Sequence, residues 1–136
     1  MRLANGNGPK DGGGGFRARW LIVAGYVAVI FLLSAQPGLH VPGDFKLGDK
    51  VAHVLEYGGL GWLLWRAGLE TWPRTTGLRR ALVAIALASA LGAVDEKFQA
   101  GVPGRDSSAF DWMADTLGAS LAQALFVSRE KRGEGT

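Results

Sequence analysis

Asp49, His53, Glu56 and Tyr57 follow one another at spacings of four, three and one, so on a helix they form one stripe that Leu60 and Leu64 continue. Asp95 and Gln99 are also four apart, with Glu96 beside them, and Ala84, Ala88 and Gly92 extend their face as a ridge of small residues. Asp111 and Asp115 repeat the spacing a third time, followed by Gly118 and Ala122. Lys50 and Arg105 are the nearby cations, and Arg105 stands in a Pro103-Gly104-Arg105 turn that can fold its guanidinium back over the carboxylates. Two chemistries are open to such a set. An imidazole beside carboxylates moves protons, and lysine and arginine bind phosphate or carboxylate.

The absences narrow the field. The chain of 136 residues has no cysteine, which excludes disulfides, thiolate zinc sites and a cysteine nucleophile, and its two histidines exclude a His-rich metal centre. No serine motif or phosphate-binding glycine loop marks a nucleophile or a nucleotide site. No cofactor is expected and no metal, His53 and Asp95 being the weak candidates, because one imidazole with carboxylates suits Mg, Mn or Zn only loosely. For His53, a hydrogen bond to Glu56 or Asp95 is expected before metal ligation.

The elements that must position these residues are four apolar runs. Trp20 to Leu33 and Ala81 to Val94 are each fourteen residues without a charge, while Val51 to Trp65 and Trp112 to Val127 each carry one carboxylate. A fourteen-residue run is more often a buried helix of a soluble protein than a membrane span. A soluble four-helix bundle, however, needs a charged side on every helix, and the first and third runs are uncharged all round. Snorkelling of Arg17 and Arg19, and extension of the third helix from Arg79 to Gln99, bring both near spanning length. A cleaved signal peptide is disfavoured by the long preceding tail and by the lack of an A-x-A pattern near Ala35.

The expected fold class is therefore all-α: an integral membrane bundle of four transmembrane helices at about 17–35, 50–68, 79–99 and 109–127. A Gly-rich disordered tail over 1–15 precedes the 16–128 membrane domain, and a basic tail over 129–136 follows it. Short connectors carry Pro/Gly pairs, as at Val41-Pro42-Gly43 and Val102-Pro103-Gly104. Trp62, Trp65, Trp72 and Trp112 fit an interfacial aromatic belt.

Charge sets the expected orientation. Eleven of the fifteen basic residues fall in the N-terminal tail, the second connector and the C-terminal end. The other half holds only Lys46, Lys50, Lys97 and Arg105 against eight acids, a net −4, and the basic half is +7. Basic loops stay cytoplasmic, so both termini are expected inside and the polar constellation at the outer end. The overall charge of +3 reports this topology, and no nucleic-acid partner is implied.

Asp49-Lys50, His53, Tyr57, Asp95-Glu96-x-x-Gln99, Pro103-Gly104-Arg105, Asp111-x-x-x-Asp115 and Gly118 together resemble the VanZ-like family of small bacterial membrane proteins. The resemblance runs from about Ser34 to Ala122 and leaves out the tail and first helix. One position departs from the pattern: where the family often has histidine before the glutamine, this chain has Phe98, following Lys97 in place of an apolar residue. The resemblance implies a helical protein of the bacterial cytoplasmic membrane, similar to the accessory protein of glycopeptide-resistance clusters that is linked to teicoplanin resistance. It implies no reaction.

The expected role is an envelope membrane protein, non-catalytic or without a defined catalytic activity. Its outward polar site of Lys50, His53, Tyr57, Asp95, Glu96, Gln99, Arg105, Asp111 and Asp115 binds a lipid head group, a cell-wall precursor or a glycopeptide-type amphiphile. Membrane lipids, a lipid-linked precursor or a lipoglycopeptide are the expected partners, with the small-residue ridges allowing a monomer or an oligomer. The alternative is a membrane-embedded acid/base or metal-dependent hydrolase or transferase acting on a lipid-linked substrate, with His53, Asp95 and Glu96 as its catalytic candidates.

Overall fold

The computed structural model describes residues 12–37, 46–105 and 107–133, apart from the side chains of residues 12, 13, 46 and 47. The N-terminal tail through Asp11, Asp44, Asp106 and the Lys46 side chain, all used in the charge argument, lie outside what is described, as do residues 134–136 of the expected C-terminal tail.

Four helices make up the described chain: α1 (Gly12–Ser34), α2 (Lys46–Thr71), α3 (Gly77–Gln99) and α4 (Ala109–Lys131). Each runs past its apolar stretch. Gly12 to Gly15, expected in the tail, form the first turn of α1, and Arg129 and Lys131 sit in the last turn of α4, where cations complement the helix dipole. The α3 start is capped by Thr76, whose hydroxyl accepts from Arg79 N at 3.3 Å. The α4 start is capped by Ser108, whose hydroxyl accepts from Phe110 N at 3.1 Å. Between α3 and α4 the chain reverses through Gly104, whose φ of 77° is left-handed and suits a residue without Cβ.

The helices pack with α2 and α4 in the broadest contact, α3 against both, and α1 against α2 and α3; among the described residues α1 does not pack on α4. The α2–α4 seam is close because its contact residues are small. A Cβ built on Gly61 would meet Ala119 Cα at 3.1 Å, and one on Gly118 would run into the Val54 carbonyl. In a setting without a hydrophobic drive between helices, close backbone approach and inter-helix hydrogen bonds hold a bundle together. Gln123 supplies one such bond across this seam, donating from Nε2 to Gly61 O at 2.7 Å.

The core interleaves small residues, Ala67, Ala84, Ala88 and Ala119, with the larger Tyr57, Leu60, Leu64, Val23 and Ile30. At the end bearing the α2–α3 connection, Trp65 is fully buried, stacked on Phe126 at 5.5 Å and under the Arg80 guanidinium at 5.0 Å. Trp65 therefore belongs to the core and not to an interfacial belt. Arg80, itself buried, donates to Thr75 O at 3.0 Å. Arg19 pairs with Glu70 at the same end, and Trp20 Nε1 donates to Thr71 Oγ1 at 2.9 Å.

The surface inverts the usual pattern of a water-soluble bundle. Among the described residues twenty-one large apolar side chains are exposed, including Leu21, Ile22, Leu32, Leu55, Leu78, Leu82, Phe110 and Leu121, whereas nine polar or charged residues are buried. Two helices among the described residues are long and apolar enough to cross a membrane, Gly14–Ser34 and Gly77–Gln99.

Candidate functional site

The start of α2, the end of α3 and the start of α4 lie at one end of the bundle, so the three polar stripes meet there. His53, Asp95, Glu96, Gln99, Asp111 and Asp115 are all buried. Asp49 and Glu56 are half-buried at the rim. The end of α1 closes the fourth side, where Ser34 Oγ accepts from Gln99 Nε2 at 3.2 Å.

Each side chain is positioned by a partner on another element or one turn away. His53 Nδ1 is 2.8 Å from Asp115 Oδ1. The partner is thus an α4 residue and not Glu56 or Asp95, and the reason lies in the seam. Because Gly118 lets α4 lie against the Val54 carbonyl, the residue one turn before Gly118 reaches the residue preceding Val54. Gly92 makes room on the α3 side, since a Cβ there would stand 2.8 Å from Asp115 Oδ2. Asp95 Oδ2 accepts from Gln99 Nε2 at 2.8 Å within α3. Glu96 Oε2 accepts from Ser108 N at 2.7 Å, which places a carboxylate at the amino end of α4, where the helix dipole favours it. Lys50 Nζ bridges α2 to α4 through Asp111 Oδ1 at 2.7 Å and lies 5.8 Å from the Phe110 ring centroid.

Several polar atoms in this end are buried without a hydrogen-bond partner: Tyr57 Oη, Asp95 Oδ1, Glu96 Oε1 and Asp115 Oδ2. Arg105 is half-buried in the α3–α4 turn, its N–H donating to Val102 O at 3.2 Å, and its charge is felt at Glu56 together with that of His53. One potential ligand atom from each of His53, Glu96 and Asp115 lies within 4.8 Å of the others, and Asp49, His53 and Asp111 form a second such group on the exposed side. Asp95, expected as the carboxylate companion of His53, is in neither group.

Beside this site an apolar groove of about 730 Å³ runs along α2 and α4 between Val51, Val54, Leu55, Met113, Leu117 and Ser120, with Lys50 and Phe110 at its polar end. Sequence spacing did not reveal it, since its walls are ordinary apolar positions. Ser34 and Gln123 were also missed; a lone hydroxyl or amide inside an apolar run is the signal that marks them. Phe98 is exposed and meets Phe31 of α1 with ring centroids 5.7 Å apart.

No protein-family model, no curated protein and no solved structure matches the chain.

Proposed function

We propose that the chain is a VanZ-like envelope protein that crosses the bacterial cytoplasmic membrane four times, with both termini inside, and holds an anionic lipid-type amphiphile at its outer end. The observation that carries this reading is the groove that ends on Lys50 beside the buried His53–Asp115 pair. From Phe110 to Ser120 the groove follows α4 for ten residues, about 15 Å, half of a hydrocarbon core of ~30 Å. An acyl chain fits the apolar walls, and a phosphate or carboxylate head meets the Lys50 ammonium, which is more than one-third exposed even while paired with Asp111. Beyond the two helices that are apolar enough to cross by themselves, four spans are supported by exposed apolar residues on α2 (Val51, Leu55, Trp62) and α4 (Met113, Leu117, Leu121).

Two experiments test this. The absence of cysteine permits single-cysteine topology mapping in living cells. Ser107→Cys should react with an impermeant maleimide from outside and Arg74→Cys only after permeabilisation; the reverse pattern, or equal labelling, refutes the topology. Native mass spectrometry from nanodiscs containing phosphatidylglycerol should show a retained lipid in the native chain, lost in Leu117→Trp, which fills the groove, and weakened in Lys50→Ala. Retention unchanged in both variants refutes the groove.

A second reading, acid/base hydrolysis of a lipid-linked substrate, is favoured by the 2.8 Å contact of His53 with Asp115. It requires that His53→Gln abolish turnover of such a substrate while lipid retention persists.

A further inference from the structure

We propose that His53, Glu96 and Asp115 form a binding site for one divalent transition-metal cation of the Mn2+ or Zn2+ type. The three residues come from α2, α3 and α4, and each is at least nine-tenths buried, with Asp115 fully so. Their potential ligand atoms lie within 4.8 Å of one another, slightly wider than the ~4 Å across a coordination sphere with ligand distances of about 2.1 Å, so small side-chain rotations close it. One imidazole and two carboxylates are a borderline-to-hard set, which suits Mn2+ and Zn2+ and leaves at least one coordination position for another ligand.

Two further observations point to a cation and not merely to an acidic cluster. Glu96 Oε1 and Asp115 Oδ2 are buried acceptors that receive no hydrogen bond, although the second oxygen of each carboxylate is engaged, by Ser108 N and His53 Nδ1 respectively. A bound ion satisfies both oxygens; it replaces the His53–Asp115 hydrogen bond, the imidazole ligating through Nδ1, and leaves the Ser108 bond to Glu96 in place. Charge asks for the same. The buried carboxylates of Asp95, Glu96 and Asp115 stand around the single imidazole of His53, with Lys50 paired to Asp111 at 2.7 Å on the rim and Arg105 half-buried in the neighbouring turn. Carboxylates gathered in a low-dielectric interior are costly to keep charged, and a divalent ion offsets that charge. The Tyr57 hydroxyl, fully buried, without a partner and one turn from His53, feels the charges of Asp115, Asp95 and Glu96 and supplies a donor to a water or anion on the open position. The reading stands apart from the lipid groove, whose walls include none of these three residues.

The test uses the full chain carrying His40→Gln, so that His53 is the one remaining histidine, purified in detergent and stripped with chelator. Titration with Mn2+ followed by electron paramagnetic resonance should show one ion per chain, displaced by Zn2+, with a nitrogen coupling that assigns His53. Glu96→Gln and Asp115→Asn should each weaken Mn2+ binding by about tenfold or more, whereas Asp49→Asn, which belongs to the rim group, should leave it unchanged. Absence of a stoichiometric ion at millimolar Mn2+ and Zn2+ overturns the proposal. So does a bound ion without nitrogen coupling, a readout on the unmutated triad that does not depend on how the carboxylate variants fold. An affinity lowered by Asp49→Asn and not by Glu96→Gln moves the ion to the rim group and equally overturns it.

Discussion

Gly118→Ala adds one methyl group at the tightest point of the α2–α4 seam. The new Cβ would overlap the Val54 carbonyl oxygen, stand 2.9 Å from Val54 C and 3.0 Å from Gly58 N, and meet no flexible side chain that could turn aside. Ordinary contact begins at 3.4–4 Å, so the closest contact, with the Val54 carbonyl oxygen, is relieved only if the backbones part by more than about 1 Å at that level. Overpacking of this kind costs about 1–3 kcal/mol, and the upper end applies because the atoms met are backbone. Alanine recovers about 0.5–1 kcal/mol of helix propensity relative to glycine, so the net loss is about 2 kcal/mol. Equilibrium unfolding in mixed detergent micelles, followed by circular dichroism, measures it. The control is Gly25→Ala in α1, where a Cβ meets nothing within 4 Å and only the propensity gain operates. Two glycine-to-alanine changes in helix interiors are thus expected to move stability in opposite directions. A Gly118→Ala protein within about 0.5 kcal/mol of the native chain would refute the close-approach account of the seam.

Other outcomes follow from the same contacts. Gln123→Leu removes the 2.7 Å bond to Gly61 O and should cost about 0.5–1.5 kcal/mol in the same unfolding assay, the range of inter-helix hydrogen bonds in membranes. Arg80→Met keeps the aliphatic stem but loses the bond to Thr75 O and the cation over Trp65; about 2 kcal/mol of destabilisation is expected, with a change in tryptophan fluorescence. Gly92→Ala places a Cβ 2.8 Å from Asp115 Oδ2 and 3.1 Å from Asp115 Cβ, so the fully buried carboxylate must move and its contact with His53 is disturbed. Stability should fall by about 1–2 kcal/mol, and Mn2+ affinity read by electron paramagnetic resonance should fall by about tenfold.

The all-helical character and the position of each helix were legible because apolar runs separated by Pro/Gly connectors admit few other readings. Even so, α2 starts before Lys50 and α4 runs on to Lys131, since helix ends depend on caps and neighbours as much as on hydropathy. The stripe of Asp95, Gln99, Ala88 and Gly92 was visible from spacing alone, and the structure buries all four on one face of α3. Spacing works there because i,i+4 geometry belongs to a single helix and needs no partner.

What the sequence by itself determined was which residues share a face: His53 with Tyr57, Asp95 with Gln99, Asp111 with Asp115. Which faces meet was decided by tertiary packing. His53 pairs with Asp115 rather than with its own-helix neighbour Glu56, because Gly118 sets how near α4 comes to α2. Glu96 turns to Ser108 at the head of α4, Trp65 enters the core under Arg80, and the groove beside Lys50 exists only as the space between two helices. Distances between helices depend on the volumes of all the residues at the crossing taken together, and no local pattern in one segment records that sum.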